Sequence, residues 1–334
     1  MLARRMFLKN SEGVVIGTTP MLVPSFSSRA NIDIRKILTH IGPHIKGPIL
    51  ISAYDMHYVK GFPLVEFPTL IFIDSGGYEC AKGNEISELG FYKADANDWS
   101  RESHLEIVAS LDKRPPPKVI VSYDHPSEPQ IIENQIKTAK ELFQKTDGFL
   151  KEILIKPEPE SATRSKAKID LEQVIRNLRQ LTRFDILGFT EKELGSSVLE
   201  RMVSIAIIRE EMDRLKINIP IHIFGSLDTI TTPLYYLSGA DIFDGLAWLR
   251  FILSTKGTLY LDSYGPRECG IEVPTDSIWI QYLIRNISYL NRLSINLEKF
   301  QSTGDFSHLG EESDFFKDSL EDLKVRIGGD NNGQ

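Results

Sequence analysis

FDILGFTEKELGSSVLERMVSIAIIREEMDRLKINIPIHIFG (184–225) opens on a short apolar run, passes through a long stretch with helical spacing, and closes on a second apolar run. The runs 184–189 and 219–225 are rich in Ile, Leu and Phe and bounded by polar residues, as buried strands are. Between them Val198, Met202, Ile205, Ile208, Met212 and Leu215 recur every three or four residues and mark the apolar face of a helix. Strands that are continuously apolar, rather than alternating, belong to a sheet covered on both faces.

The same unit extends along the chain. GPILISAYD (47–55), TLIFID (69–74), KVIVSYD (118–124), EILIKP (152–157) and ADIFDGL (240–246) read as further strands, with GTLYLD (257–262) as a weaker eighth. Ile132, Ile136, Ala139 and Phe143 form one helical stripe, and Leu171, Val174, Leu178 and Leu181 another. Leu283, Ile287 and Leu290 mark a helix within 276–299. Roughly eight strands with intervening helices fit an α/β fold of the (β/α)8 TIM-barrel type better than an open doubly wound sheet. No GxGxxG or Walker loop follows any strand, so nothing points to a dinucleotide or P-loop site. The expected organisation is one barrel domain over 1–300 with extra N-terminal and C-terminal elements. A polar, acidic tail follows over 301–334, frayed at its end, in which Phe315, Phe316, Leu320 and Leu323 could dock a short helix.

The 334 residues carry 39 Lys+Arg and 46 Asp+Glu, a net charge of −7, and 41% are hydrophobic. These proportions exclude collagenous, disordered and strongly basic histone-like chains, although a local basic groove remains compatible with them. Two cysteines, Cys80 and Cys269, can build neither a disulfide framework nor a four-cysteine zinc site. MLARRMFLKN at the start has no long apolar run behind it, and no stretch is long and apolar enough to span a membrane. The expectation is a soluble cytoplasmic protein without a removable leader.

Chemistry gathers at strand ends. Asp74, Asp124, Gly188, Gly225 and Asp244 each close an apolar run, and in a barrel such tips converge on one mouth. Three carboxylates around one pocket repel unless their partners or protonation states differ. In DSGGYE (74–79) two glycines let backbone approach a flat ligand closely, and Tyr78 offers a ring. Each of these also has a plain reading: the aspartates as turn formers, Trp248 as core, and Lys156 as a solvated strand-end lysine. His57, His125 and His222 lack metal-ligand spacing and read as ordinary packed or polar histidines. His125 is the one nearest the mouth.

Asp74-Ser75-Gly76-Gly77-Tyr78 resembles the DSGG[FY] motif of the tRNA-guanine transglycosylase superfamily (queuine and archaeosine tRNA-ribosyltransferases), whose paralogues insert 7-deazaguanine bases into DNA. GADIFDGLAWLR (239–250) is similar to that family's G-x-D-x-F-D-x-x-x-x-x-R segment. HIFGSLDTITTPLYYLSGAD (222–241) is similar to its L-M-G-x-G stretch and the helix after it. VSYDHP (121–126) resembles its FDE strand end, and LGFTEKE (187–193) its GGLxxGE loop. The five occur in family order over residues 69–250. The resemblance implies that Asp244 is the nucleophile toward C1′ of a target guanosine and Asp74 the general acid/base. It implies that Asp124 reads the purine N–H edge and that Ser75, Gly76 and Gly77 bind substrate. Gly188 and Phe189 would then contact the base through backbone with Glu193 behind them, Tyr78 and Phe224 would sandwich the heterocycle beside Gly225, and Arg250 would touch phosphate. The implied partners are a nucleic acid, DNA or tRNA, and a free 7-deazaguanine base. No cofactor is required, and because relatives often pair, a homodimer or partner protein is compatible with it.

Departures from the family are equally specific. Its zinc site needs three clustered cysteines and a histidine after the barrel, and here that region holds Cys269 alone, with His308 downstream. Lys156 stands where a base-contacting glutamine is usual, which opens the identity of the entering base. Glu79 also replaces a glutamine, and no appended RNA-binding domain is evident. Loss of the zinc-bearing element, which helps place tRNA, leans the expectation toward a DNA-modifying transferase, with tRNA as runner-up. The rivals are an idle nucleic-acid-binding subunit, disfavoured by retention of Asp74 and Asp244, and a metal-dependent barrel hydrolase, disfavoured by the lack of paired histidines at strand ends.

Overall fold

A computed structural model describes residues 2–30, 33–80, 98–124, 128–159, 167–255 and 257–330. Eight strands close into a parallel barrel: β1 (Met21–Phe26), β2 (Ile49–Ser52), β3 (Ile71–Asp74), β4 (Lys118–Val121), β5 (Leu150–Ile155), β6 (Ile186–Thr190), β7 (Ile221–Phe224) and β8 (Ile242–Gly245). Each pairs with its sequence neighbour, and β8 returns to β1 with Asp244 opposite Val23. The fold is an α/β TIM-type barrel.

Seven of the strands are those the apolar runs indicate. The eighth is MLVPSF (21–26), not GTLYLD. The 257–262 run instead supplies an antiparallel partner, Gly257–Tyr260, for Phe251–Ser254 outside the barrel. Gly257–Tyr260 is only half covered, which suits a peripheral hairpin. MLVPSF is hard to read as a strand because Pro24 lacks a ladder donor and serines crowd its end. In the structure all six residues are buried.

The helices follow their stripes. Ile132, Ile136, Ala139 and Phe143 are buried on Ile132–Phe143, and Val174, Leu178 and Leu181 on Leu171–Leu181. Met202, Ile205, Ile208 and Met212 are buried on Val198–Arg214. Side-chain caps fix several starts: Ser100, Asp170 and Ser197 accept the amides of Ser103, Gln173 and Glu200. One apolar cluster fills the space between barrel and helices, a second lies inside the barrel from Val23, Leu50, Phe72, Val121, Leu154 and Ile242 among others, and a small third one joins Ile252, Leu261, Ile278 and Tyr282 past the barrel. Leu8, from an N-terminal hairpin (Phe7–Lys9 with Val15–Thr18), joins the inner cluster beside Met21 and closes the barrel bottom.

At that end Arg209 and Asp241 form a fully buried ion pair. Arg209 Nε also donates to Gly239 O at 2.9 Å, and Asp241 Oδ2 accepts the Ile221 amide at 2.8 Å, so the charges are hydrogen-bonded as burial demands. After the barrel a 29-residue helix, Thr275–Thr303, runs across residue 300. Ser313–Asp330 then docks as a helix on Val198–Arg214 and Thr231–Leu237, burying Phe316, Leu320 and Leu323 and leaving Phe315 exposed. Among the described residues no helix is long and apolar enough to cross a membrane.

Candidate active site

Side chains alternate along a strand, so the inward period that buries Val23, Phe72, Leu154, Ile186 and Ile242 continues to Ser25, Asp74, Lys156, Gly188 and Asp244. The barrel turns apolar at its base and ionisable at its C-terminal mouth.

Asp244 lies on β8, 6% exposed, with two hydrogen-bond donors directed at its carboxylate and an imidazole beside it. The Ser25 hydroxyl donates to Oδ2 at 2.7 Å, the Gly225 amide donates to Oδ1 at 3.0 Å, and His222 Nε2 stands 3.4 Å from Oδ1. Such donors stabilise negative charge on the group. Ser25 is itself fixed: its Oγ accepts the Gly245 amide and its carbonyl accepts the Trp248 indole, both at 3.0 Å. Trp248 is fully buried, so its plain reading as core holds, with a second job in holding β1.

Asp74 has the opposite surroundings. Its carboxylate accepts backbone amides alone among the described residues, that of Gly76 at 3.3 Å and that of Ser75. Burial first, then the like charges of Asp124 and Asp244, push its carboxyl up to about 7. The three aspartates thus lie near enough to one another, at the same end of the barrel, for their charges to interact.

The Gly-Gly turn is sterically required. Gly76 has φ +91°, and a Cβ there would lie 2.6 Å from Tyr54 Cβ; a Cβ on Gly77 would lie 2.7 Å from Asp124 Oδ2. Ser75 donates its hydroxyl to Asp124 Oδ1, and its carbonyl accepts the Trp99 indole at 2.7 Å. Asp124 is thereby tied to the loop after β3. Glu79 beneath it is buried, accepts the Ser27 hydroxyl at 2.6 Å, and offers its carbonyl to Arg29 Nε at 2.8 Å. Burial, Asp55 and Asp74 raise its carboxyl well above the usual range. Asp55, held by Ser28, is pushed up to about 6 by burial.

On the other side, Lys156 Nζ pairs with Glu193 at 2.6 Å and donates to Thr190 Oγ1 at 3.0 Å. Burial alone would lower the Lys156 ammonium, but Glu193, Asp124 and Asp74 raise it above its ordinary value. Burial raises Glu193 against the pull of Lys156. Lys156 is therefore a mouth cation and not a solvated strand end. Gly188 has no room for a side chain: a Cβ would lie 2.8 Å from Phe224 Cε2 and 2.9 Å from Glu152 Oε1. The Phe189 ring is buried in the outer cluster, away from the barrel interior. Gly225, at φ +80°, has no described atom within 4 Å of a Cβ position, so the space before Asp244 is open.

Phe224 stacks on His222, with centroids 4.0 Å apart and planes at 26°. Tyr78 is 36% exposed on the rim, its phenol pushed up to about 12 by burial and Glu79, with Arg250 acting in the other sense. Tyr78 and Arg250 thus share one side of the opening, and Arg250 Cζ lies 5.5 Å from the Phe251 ring centre. His125 lies outside the described residues.

Three inward side chains escape the motif reading: Ser25, Glu152 and His222. His222 is packed, as expected, but between two carboxylates, since its Nδ1 is 2.7 Å from Glu152 Oε1. The detectable signal is a charged residue in phase with apolar ones inside a strand: Glu152 with Leu150 and Leu154, His222 with Phe224.

Past the barrel, Cys269 Sγ is 3.2 Å from Gln281 Oε1, and among the described residues no three His, Cys, Asp or Glu side chains group to hold a metal ion. The zinc of the tRNA-acting family does not fit these residues. No family model matches the chain, and no curated protein matches it significantly.

Proposed function

We propose that this chain is a guanine base-exchange transglycosylase, a pentosyltransferase that inserts a 7-deazaguanine base into a polynucleotide, with DNA as the polymer. One observation carries the reading. Asp244 and Asp74 share a mouth, yet two donors and the His222 imidazole surround the first while burial and like charge favour a proton on the second. Two carboxyl groups with opposed environments suit a nucleophile and a general acid.

In the first half-reaction an Asp244 oxygen attacks C1′ and the C1′–N9 bond breaks. Its electron pair leaves with guanine, which takes the Asp74 proton. A covalent glycosyl ester remains. In the second half Asp74 accepts the N–H proton of the entering base, whose nitrogen attacks C1′, and Asp244 recovers its electron pair as the ester bond breaks. Asp124 would accept the N–H edge of the base, and Lys156 would present a cationic donor where relatives present an amide. The target base must be extracted from its stack. The mismatch between Cys269 and a zinc element supports DNA over tRNA.

The test is a denaturing-gel trapping assay with DNA and with tRNA, using wild type and Asp244→Ala. An adduct with DNA that disappears in the variant is the expected result. An adduct with tRNA alone reassigns the polymer. Neither adduct nor exchange of labelled guanine would favour an idle binding subunit and overturn the reading.

A further inference from the structure

Inside the barrel, below Asp244, lies a row of three ionisable side chains from three strands. Glu152 on β5, His222 on β7 and Asp244 on β8 share no sequence motif, yet they line up: Glu152 Oε1 to His222 Nδ1 is 2.7 Å, and His222 Nε2 to Asp244 Oδ1 is 3.4 Å.

Glu152 and His222 are completely buried. Glu152 Oε2 has no hydrogen-bond partner among the described residues, an arrangement that costs stability and that an apolar pair would avoid. Phe224 covers one face of the imidazole and Phe72 meets it edge-on, with centroids 5.4 Å apart. The missing Cβ of Gly188 leaves room for both Glu152 and Phe224.

We propose that Glu152 and His222 are positioning residues for Asp244: the Glu152 carboxylate orients a protonated His222, and His222 fixes the carboxylate that attacks C1′. The inference rests on the transglycosylase reading. In the first half-reaction the pair holds one Asp244 oxygen in a single orientation. In the second, the imidazolium faces the charge that returns to Asp244 as the C1′–O bond breaks, which favours release of the sugar to the entering base. No proton leaves the row in either half.

The titratable groups facing His222 are Glu152 from β5 and Asp244 from β8; its neighbours from β3 and on β7 are the apolar rings of Phe72 and Phe224. Burial works to lower the imidazole, and Glu152 and Asp244 overcome it, pushing it up to about 9. The positioned state therefore persists through neutral pH and is lost as pH rises through that value.

The experiment combines two measurements. NMR of the full-length protein with ¹⁵N-labelled histidine follows His222 from pH 5 to 10.5, assigned by its loss in His222→Asn. Single-turnover adduct formation is timed over the same range for wild type, Glu152→Gln, Glu152→Asp and His222→Asn. The expected result is a wild-type His222 that stays protonated past pH 8 and titrates lower in Glu152→Gln. Adduct formation should slow about 10- to 100-fold in Glu152→Gln and His222→Asn, with partial rescue in Glu152→Asp and loss of the alkaline limb in His222→Asn. A wild-type His222 that titrates at or below its ordinary value overturns the proposal whatever the rates of the variants. Variants as fast as wild type overturn it while the transglycosylase reading stands. Absence of any wild-type adduct overturns that reading and the positioning role with it.

Discussion

Ser25 and Asp244 lie 219 residues apart in the chain and meet across the seam of the barrel, where the Ser25 hydroxyl donates to Asp244 Oδ2 at 2.7 Å. The contact joins the first strand to the last at the position proposed for the nucleophile. Ser25→Ala removes one of the two hydrogen-bond donors, and the acceptor of the Gly245 amide with it, and leaves the Trp248 bond to the Ser25 carbonyl intact. Adduct formation should fall roughly 10- to 100-fold, as for loss of a hydrogen bond to a charged group. Circular dichroism should be unchanged. An unaltered rate would remove Ser25 from the site.

Asp74→Asn separates activity from stability. The folded-state carboxyl is raised from 3.8 to about 7, so the native protein holds this proton where the unfolded chain releases it. Stability from this group is therefore lost as pH rises between those values. Asp74→Asn should abolish exchange, yet be more resistant to urea than wild type at pH 8, by at most a few kcal/mol, and show a smaller difference at pH 5. Equal midpoints for the two proteins at pH 8 would contradict the raised carboxyl.

Gly188→Ala drives a methyl group to 2.8 Å from Phe224 and 2.9 Å from Glu152. The expected cost is about 1–3 kcal/mol of stability, read from denaturant midpoints. Activity should fall with it, because both displaced residues touch His222. A neutral substitution would mean that the β6 backbone can retreat.

Lys156→Gln tests base choice. It restores a neutral amide and leaves Glu193, 2.6 Å away, without its cation. The pair keeps some exposure, so the stability cost should be only about 1 kcal/mol. The ratio of exchange rates for competing labelled guanine and 7-deazaguanines should change at least severalfold. A constant ratio would place Lys156 outside base recognition.

Phe316→Ala tests the C-terminal helix. Phe316 is 1% exposed against the barrel helices. Truncation should cost about 3 kcal/mol, measured by thermal unfolding, whereas Phe315→Ala, at an exposed position, should change little.

The barrel was largely readable because seven strands are unbroken apolar runs and the helices carry clean three-four stripes. β1 was not, since Pro24 and the serines that follow mimic a turn, and only closure against β8 makes them a strand. At the mouth, Asp74, Asp124 and Asp244 could be named from strand ends, and Lys156 and Glu193 from the family resemblance. Ser25 could not, because its strand was missed. Glu152 and His222 could not, because a partner across a barrel is fixed by registers between strands and leaves no local spacing. The tail shows the same limit: Phe316, Leu320 and Leu323 hint at an apolar stripe, but the length of the helix is set by the surface it covers.

Closure through β1 also orders events during synthesis. The strand that needs both β2 and β8 as neighbours emerges from the ribosome first and must wait for residue 245 before its second edge is covered. Until then the nascent sheet has two raw margins, each able to capture a strand from another chain. The ring becomes safe from such capture only when its oldest and youngest strands meet.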